Sequence, residues 1–263
     1  MTTDEIVQTA HALADAAREA ILPFFRSAGM RADNKAGTGF DPVTEADRAA
    51  ERAMREILAA RRPQDGILGE EYGATRGESG LTWVLDPIDG TRAFLSGTPT
   101  WGVLIAVSDE TGPVYGLIDQ PYTAERFEGG FGRAGMQGPQ GARRLATLGA
   151  RPLSEAILFT TFPELGSEAE RDGFAAVARE VKLTRYGMDC YAYALVACGQ
   201  VDLVIEAGLQ PYDIQAPIAV IEAAGGIVTD WQGRPAHQGG RAVAAAGPEQ
   251  HAAALEILSK VAG

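Results

Sequence analysis

Apolar positions near the start of the chain repeat at helical spacing. Ile6, Ala10, Leu13, Ala17 and Ile21 line one face of the segment 4–25, which reads as an amphipathic helix. A polar connector at 34–40 leads to Asp41-Pro42-Val43-Thr44-Glu45-Ala46-Asp47, where Thr44 with Asp47 reads as a capping box. The helix it opens runs to about residue 62, with Ala50, Met54, Ile57 and Leu58 on one face. The period then shortens. Ile67-Leu68 and Trp83-Val84-Leu85 read as short strands. The runs at 103–107 and 114–118 flank Asp109-Glu110-Thr111-Gly112 as a hairpin. Short, glycine-rich strands continue from 125 to 147. Beyond about 150, strands alternate with helices: a strand at 157–161, a helix at 168–181, a strand near Leu183, a helix at 190–198 and a strand at 201–205. A helix at 213–224, strands near Val228 and Val243 and a final helix from 249 complete the pattern. It predicts an α+β half, residues 1–148, with helices packed on an antiparallel sheet, and an α/β half, residues 149–263. No repeat or low-complexity linker interrupts it.

Composition narrows the function. The 263 residues are 46% hydrophobic, enough for a large core, and carry a formal net charge of −12. A general nucleic-acid binder needs a basic surface, so that class is excluded. The two cysteines, Cys190 and Cys198, lie in an apolar helical stretch and read as buried free thiols. The acidic N-terminus lacks a basic region followed by an apolar core, and no apolar run reaches membrane-spanning length, so a cytoplasmic protein without a membrane partner is expected.

Candidate chemistry concentrates in Asp86-Pro87-Ile88-Asp89-Gly90-Thr91, where two carboxylates leave the end of a buried strand. Pro87 fixes its φ and lacks an N–H, and Gly90 permits positive φ, so a sharp turn is expected. Such a turn aims two carboxylates and a carbonyl at one point, an oxygen cluster of the kind a hard cation takes. Thr91 opens a helical turn whose N–H groups suit a phosphate. Asp47, Glu70 and Asp213 also stand at element ends. Singly, Asp213 reads as a helix N-cap, Asp47 as a capping-box residue, Glu70 as a solvated carboxylate and the Asp86–Asp89 pair as metal site or plain turn. Together they favour metal-assisted phosphoryl chemistry. Other phosphatase chemistries lack their residues. Neither cysteine is followed six residues on by arginine (Val196 and Val204 stand there), the aspartates are one residue too far apart for a phosphoaspartate motif, and His11, His237 and His251 fall outside every motif and are expected at the surface.

Three segments strongly resemble the inositol monophosphatase family: Gly69-Glu70-Glu71, the run Trp83 to Thr91, and Pro211-Tyr212-Asp213-Ile214 with Glu222-Ala223-Ala224-Gly225-Gly226. The Asp41 to Asp47 stretch also fits. The resemblance covers nearly the whole chain and implies a layered αβαβα sugar-phosphatase fold and a Mg²⁺-dependent phosphomonoesterase with two or three ions. It implies that Glu70, Asp86 and the Ile88 carbonyl hold one Mg²⁺, that Asp86, Asp89 and Asp213 hold a second, and that Glu70 helps hold a weaker third. Thr91, hydrogen-bonded to Asp47, would orient the attacking water, and the N–H groups of Gly90 and Thr91 would hold phosphate. Family members usually dimerise, so a homodimer is expected.

The runs Asp89 to Gly102, Gly187-Met188-Asp189-Cys190-Tyr191-Ala192-Tyr193 and Leu209 to Asp213 resemble the histidinol-phosphatase branch, which implies Arg92, Gly187, Asp189 and Glu206 on the substrate side. Asp189 and Glu206 would make the leaving-group side acidic and suit an ammonium. Asp189 reads alternatively as a cap of the following helix. L-Histidinol phosphate in histidine biosynthesis is the expected substrate. Inositol 1-phosphate is the alternative, and a phosphatase-like regulatory protein the reading from another class.

Overall fold

The computed structural model describes residues 2–27, 45–162, 164 and 166–261, together with the backbone of 33–34 and 42–43. Thr44 and most of the polar connector lie outside these residues, and with them the expected Thr44–Asp47 capping box.

Helix α1 (Thr3–Ile21) opens on a reciprocal capping box between Thr2 and Glu5. It ends short of the expected residue 25 because Pro23 has no N–H to continue the ladder. The strands β1 (Asp33–Asn34) and β2 (Pro42–Val43) pair antiparallel ahead of α2 (Glu45–Arg61). Then follow β3 (Gly66–Gly69), β4 (Gly73–Thr75), β5 (Thr82–Asp89), the short α3 (Thr91–Ser96), β6 (Gly102–Asp109), β7 (Gly112–Gln120), β8 (Glu125–Gly130), β9 (Arg133–Gly138) and β10 (Gly141–Arg144). These strands form one sheet in the order β10-β9-β8-β7-β6-β5-β3-β4, antiparallel except where β3 runs parallel to β5. A second sheet, in the order β12-β11-β13-β15-β14, is built from β11 (Ile157–Thr160), β12 (Leu183–Tyr186), β13 (Leu203–Leu209), β14 (Ile227–Thr229) and β15 (Gly240–Ala245). Its first three strands are parallel and carry α4 (Glu168–Ala178) and α5 (Asp189–Ala197) in their connections. A 3₁₀ turn (Leu153–Glu155) and the helices α6 (Pro211–Ala223) and α7 (Pro248–Leu258) complete the described elements.

Strand side chains alternate, and the alternation sorts the layers. On β5, Trp83 and Leu85 face the cluster built by α1 and α2, whereas Val84 faces a second cluster shared with α5 and α6. On β13, Val204 joins that second cluster while Leu203 and Ile205 face outward with Phe174 of α4 and Leu258 of α7. The result is five layers in the order helix, sheet, helix, sheet, helix. The middle layer sits very close to the large sheet: a Cβ on Gly116 would lie 2.4 Å from the Ala216 carbonyl oxygen of α6. That approach fixes the start of α6, and with it Asp213, against the end of β5.

Two strand ends differ from the sequence reading. β5 does not stop at Leu85 but continues to Asp89, with an irregular register between Asp86 and Asp89 where it meets β6. Pro87 cannot donate to a ladder, and a bulge is where a strand tolerates it. β13 likewise runs past the expected end at 205, because Glu206 is a buried carboxylate within the strand.

Candidate active site

In a regular strand, residues three apart point to opposite faces. The irregularity in β5 removes that constraint, so Asp86 and Asp89 reach the same space. Asp213 enters from the first turn of α6, and carboxylate oxygens of Asp86, Asp89 and Asp213 all lie within 4.8 Å of one another. Gly90 then turns the chain at φ 84° and opens α3, as its lack of a Cβ suggested. Asp213 is not the N-cap of α6. Gln210 is, and Asp213 is the reciprocal member of the capping box, accepting from the Gln210 N–H at 2.7 Å. The helix starts two positions early because Pro211 suits its first turn.

The cluster is electrostatically costly as it stands. Burial pushes the Asp86 carboxyl well above the usual range, reinforced by Glu70, Asp89, Asp213 and Asp47. Burial does the same to Asp89, and Asp213 is pushed up to about 6. Asp86 is 2% exposed, and its Oδ1 makes no hydrogen bond among the described residues. Like-charged oxygens forced together away from water are stabilised by a divalent cation, and an all-oxygen donor set suits Mg²⁺. The residues therefore fit the ion that the sequence resemblance implies.

Glu70 follows β3, and its N–H donates to the Leu85 carbonyl at 3.2 Å, which sets it beside Asp86. Glu51, on α2 and fully buried, secures this loop. Its carboxylate accepts from the Glu71 N–H at 2.7 Å and the Tyr72 N–H at 3.3 Å and pairs with Arg55 at 2.7 Å. Gly69 is required beneath it, since a Cβ there would overlap the carboxylate.

Across a cavity of about 400 Å³, lined among others by Asp89, Thr91, Arg92, Asp189, Tyr193, Glu206 and Asp213, stands a second acidic wall. Asp189 is the first residue of α5 yet does not cap it. It adopts φ 46°, a left-handed conformation rare for a residue with a Cβ, and its Oδ2 accepts from Thr100 at 2.8 Å. It lies so close to Gly90 that a Cβ on the glycine would sit 2.7 Å from its Cγ. Burial raises its pKa, and the Thr100 hydrogen bond and Arg92 oppose that rise. Glu206 accepts from the Thr161 N–H at 2.7 Å and from the hydroxyls of Thr161 at 2.9 Å and Thr160 at 3.2 Å, while burial pushes it up to about 7. The first turn of α5 also donates the Cys190 N–H to Asp89 at 2.6 Å, joining the two walls.

A comparison with protein-family models matches the inositol monophosphatase family over residues 2–262. The chain belongs to the inositol monophosphatase family. It is accordingly a phosphoric monoester hydrolase, in a family that is generally magnesium-dependent. It is 36% identical over 250 residues to a histidinol-phosphatase of Mycobacterium tuberculosis, covering 94% of this chain and 95% of that one. It is 43% identical over 233 residues to a chloroplastic bifunctional phosphatase of Arabidopsis thaliana, covering 88% of this chain and 66% of that longer protein. Among solved structures, an inositol monophosphatase from Zymomonas mobilis superposes with a TM-score of 0.87 at 39% identity, covering 98% of this chain and 99% of the other. The layered fold is thus the fold of this family.

The Thr91 hydroxyl donates to the Ile88 carbonyl at 3.2 Å, a local reach back from the first turn of α3. Asp47 is buried on α2 and faces the Asp86 carboxyl electrostatically. Gly187 follows β12 at φ 76°, its N–H donates to the Thr160 and Thr161 carbonyls, and it is not among the residues lining this cavity. Arg92 lies with its guanidinium 4.7 Å from the centre of the Phe162 ring. The histidines are half-buried rather than at the surface, since His11 pairs with Glu128 and His251 bonds Thr229. Both thiols are free, Cys190 buried and Cys198 half-buried. Glu51, Thr100 and Tyr193 were missed as site residues. Glu51 carried a local signal, a carboxylate one helical turn after Asp47 on the apolar face of α2, whereas Thr100 and Tyr193 were marked only by lying in the runs that resemble the histidinol-phosphatase branch.

Among the described residues no helix is long and apolar enough to cross a membrane.

Proposed function

We propose that the protein is a Mg²⁺-dependent L-histidinol-phosphate phosphatase serving histidine biosynthesis. The observation that carries this reading is Asp189. A capping role is removed, because its carboxylate is held by Thr100 and set against Gly90, where a leaving group bearing an ammonium would meet it. With Glu206 it makes one end of the cavity acidic and suits a cationic ester.

In this reading Asp86, Asp89 and Asp213 hold Mg²⁺, with Glu70 and the Ile88 carbonyl completing two or three sites. Bound there, Mg²⁺ supplies the positive charge that acidifies water and offsets the phosphoryl charge. The chain's own residues do the positioning. Gly90 and Thr91 offer N–H groups to the phosphate at the turn into α3. The Thr91 hydroxyl, which reaches the Ile88 carbonyl, would orient the attacking water with Asp47 as its partner, and Asp47 would take up the proton that the water gives up. Asp189 and Glu206 hold the amine, and Arg92, against Phe162 and close enough to act on Asp189, contacts the substrate. The reading includes a cytoplasmic homodimer acting on a small phosphate ester, with neither nucleic acid nor membrane as partner.

Steady-state phosphate release with histidinol phosphate and inositol 1-phosphate in Mg²⁺ tests it. A kcat/KM at least tenfold higher for histidinol phosphate is expected. Equal or better turnover of inositol 1-phosphate would overturn the substrate assignment and leave a general phosphatase. No phosphate release from either ester, with function intact in the cell, would favour the regulatory reading.

A further inference from the structure

Tyr193 lines the cavity from α5, is 3% exposed, and its hydroxyl makes no hydrogen bond among the described residues. The other mostly buried tyrosines behave differently. Tyr191, on the same helix, donates to Glu125 at 2.6 Å, and Tyr115 donates to Glu128 at 2.7 Å. A buried O–H left unmade is destabilising, so phenylalanine would pack here at less cost. The ionisable groups that act most strongly on Tyr193 are Glu206, Asp89, Asp213 and Cys190. Each carboxylate already has donors of its own: Thr160 and Thr161 for Glu206, the Cys190 N–H for Asp89 and the Gln210 N–H for Asp213.

The remaining hydroxyls of the cavity are committed. Thr161 donates to Glu206 and Thr91 to Ile88. Tyr193 is thus a neutral donor, protonated at neutral pH, in a space whose other polar walls are mostly carboxylates. Carboxylates bind the cationic or hydroxylic parts of a leaving group but offer nothing to its acceptor atoms. Beside the charged Arg92 guanidinium, which lies against Phe162, Tyr193 supplies a neutral donor.

We propose that Tyr193 is a substrate-contacting, specificity-determining residue whose hydroxyl donates a hydrogen bond to an acceptor atom on the leaving group. Resting on the histidinol-phosphate reading, that acceptor is the imidazole nitrogen that carries no proton. A site built to donate to a ring nitrogen discriminates against leaving groups that lack one.

The test compares the wild type with Tyr193→Phe in Mg²⁺ on histidinol phosphate, inositol 1-phosphate and phenyl phosphate, whose leaving group has no acceptor beyond the ester oxygen. Expected for Tyr193→Phe is a fall in kcat/KM of roughly tenfold or more on the ester the wild type prefers, carried mainly by KM, about 1.4 kcal/mol by the tenfold conversion. Phenyl phosphate turnover should stay within about twofold, and Tm should be unchanged or higher. The control Tyr191→Phe should lower Tm and leave the ratio between esters unchanged. Equal losses on all three esters, no loss on the preferred ester, or a lower Tm for Tyr193→Phe would each overturn the proposal. If the wild type prefers inositol 1-phosphate, the histidinol assignment fails, while the Tyr193 proposal is then scored on the inositol ester.

Discussion

Two regions of this molecule bury carboxylates, and they do so in opposite ways. At the seam between α1 and the large sheet, Asp119 is fully buried but accepts from Arg18 at 2.7 Å and from Arg126 at 2.7 Å. Arg126 reaches on to Asp15 and His11. At the end of β5, Asp86 is equally buried, yet the charged groups that shift its pKa are all carboxylates. The seam supplies its own cations, as a buried charge held for stability must have. The site does not, and the resulting strain is what a bound divalent ion relieves. Burial alone therefore does not separate structural from functional carboxylates. The sign of the neighbours does.

The comparison can be broken or sharpened by substitution. The largest effect is expected at the site. Asp89→Asn should lower kcat by roughly a thousandfold or more, about 4 kcal/mol of barrier, with the metal-free fold intact by circular dichroism. A variant retaining a tenth of the activity would place the chemistry elsewhere. At the seam the consequence should fall on stability. Asp119→Ala leaves two partly buried guanidinium groups facing each other and should destabilise by about 3–5 kcal/mol in denaturant unfolding, with activity per folded molecule little changed.

Glu206 lies between the two cases, buried but held by neutral hydroxyls and an N–H. Its folded pKa, about 7, stands above the ordinary 4.5, so the protonated carboxyl is the favoured folded form. The stabilisation is full below about 4.5 and is lost as pH rises through about 7. Over that window the metal-free wild type should lose roughly 3 kcal/mol relative to Glu206→Gln, read from urea unfolding at a series of pH values. Parallel pH curves would mean that Glu206 titrates as it does in the unfolded chain. The smallest effect is expected at Asp189. Asparagine tolerates positive φ and removes a buried charge, so Asp189→Asn should leave Tm the same or slightly higher. It should raise KM for histidinol phosphate about tenfold, near 1.4 kcal/mol, and much less for inositol 1-phosphate. Equal shifts for both esters would make Asp189 a structural residue.

These regions also differ in how far the sequence disclosed them. Helical and strand periods located nearly every described element, and Pro87 and Gly90 marked the irregular backbone at the end of β5 because their covalent constraints act locally. The continuation of β5 through Asp89 was hidden, since a bulge depends on the partner strand β6. Glu206 interrupted an apolar run and so ended the expected strand, although three tertiary donors make its burial tolerable. Tyr193 and Thr100 carry no local chemical signal of their own, although both lie in runs that resemble the histidinol-phosphatase branch. Only the approach of α5 to β13 and α3 gives them a place in the site. The acidic motif was legible as chemistry, whereas the wall opposite it was legible only through family resemblance, because no local pattern encodes a cavity between layers.

The most direct measurement is thermal unfolding of the wild type and Asp86→Asn across a Mg²⁺ titration. If clustered buried carboxylates are what the site offers a cation, the wild-type Tm rises with Mg²⁺, by the equivalent of about 2.7 kcal/mol at a hundredfold excess over Kd, and the rise is lost in Asp86→Asn. A wild-type Tm indifferent to Mg²⁺, or an equal rise in both proteins, would contradict the account.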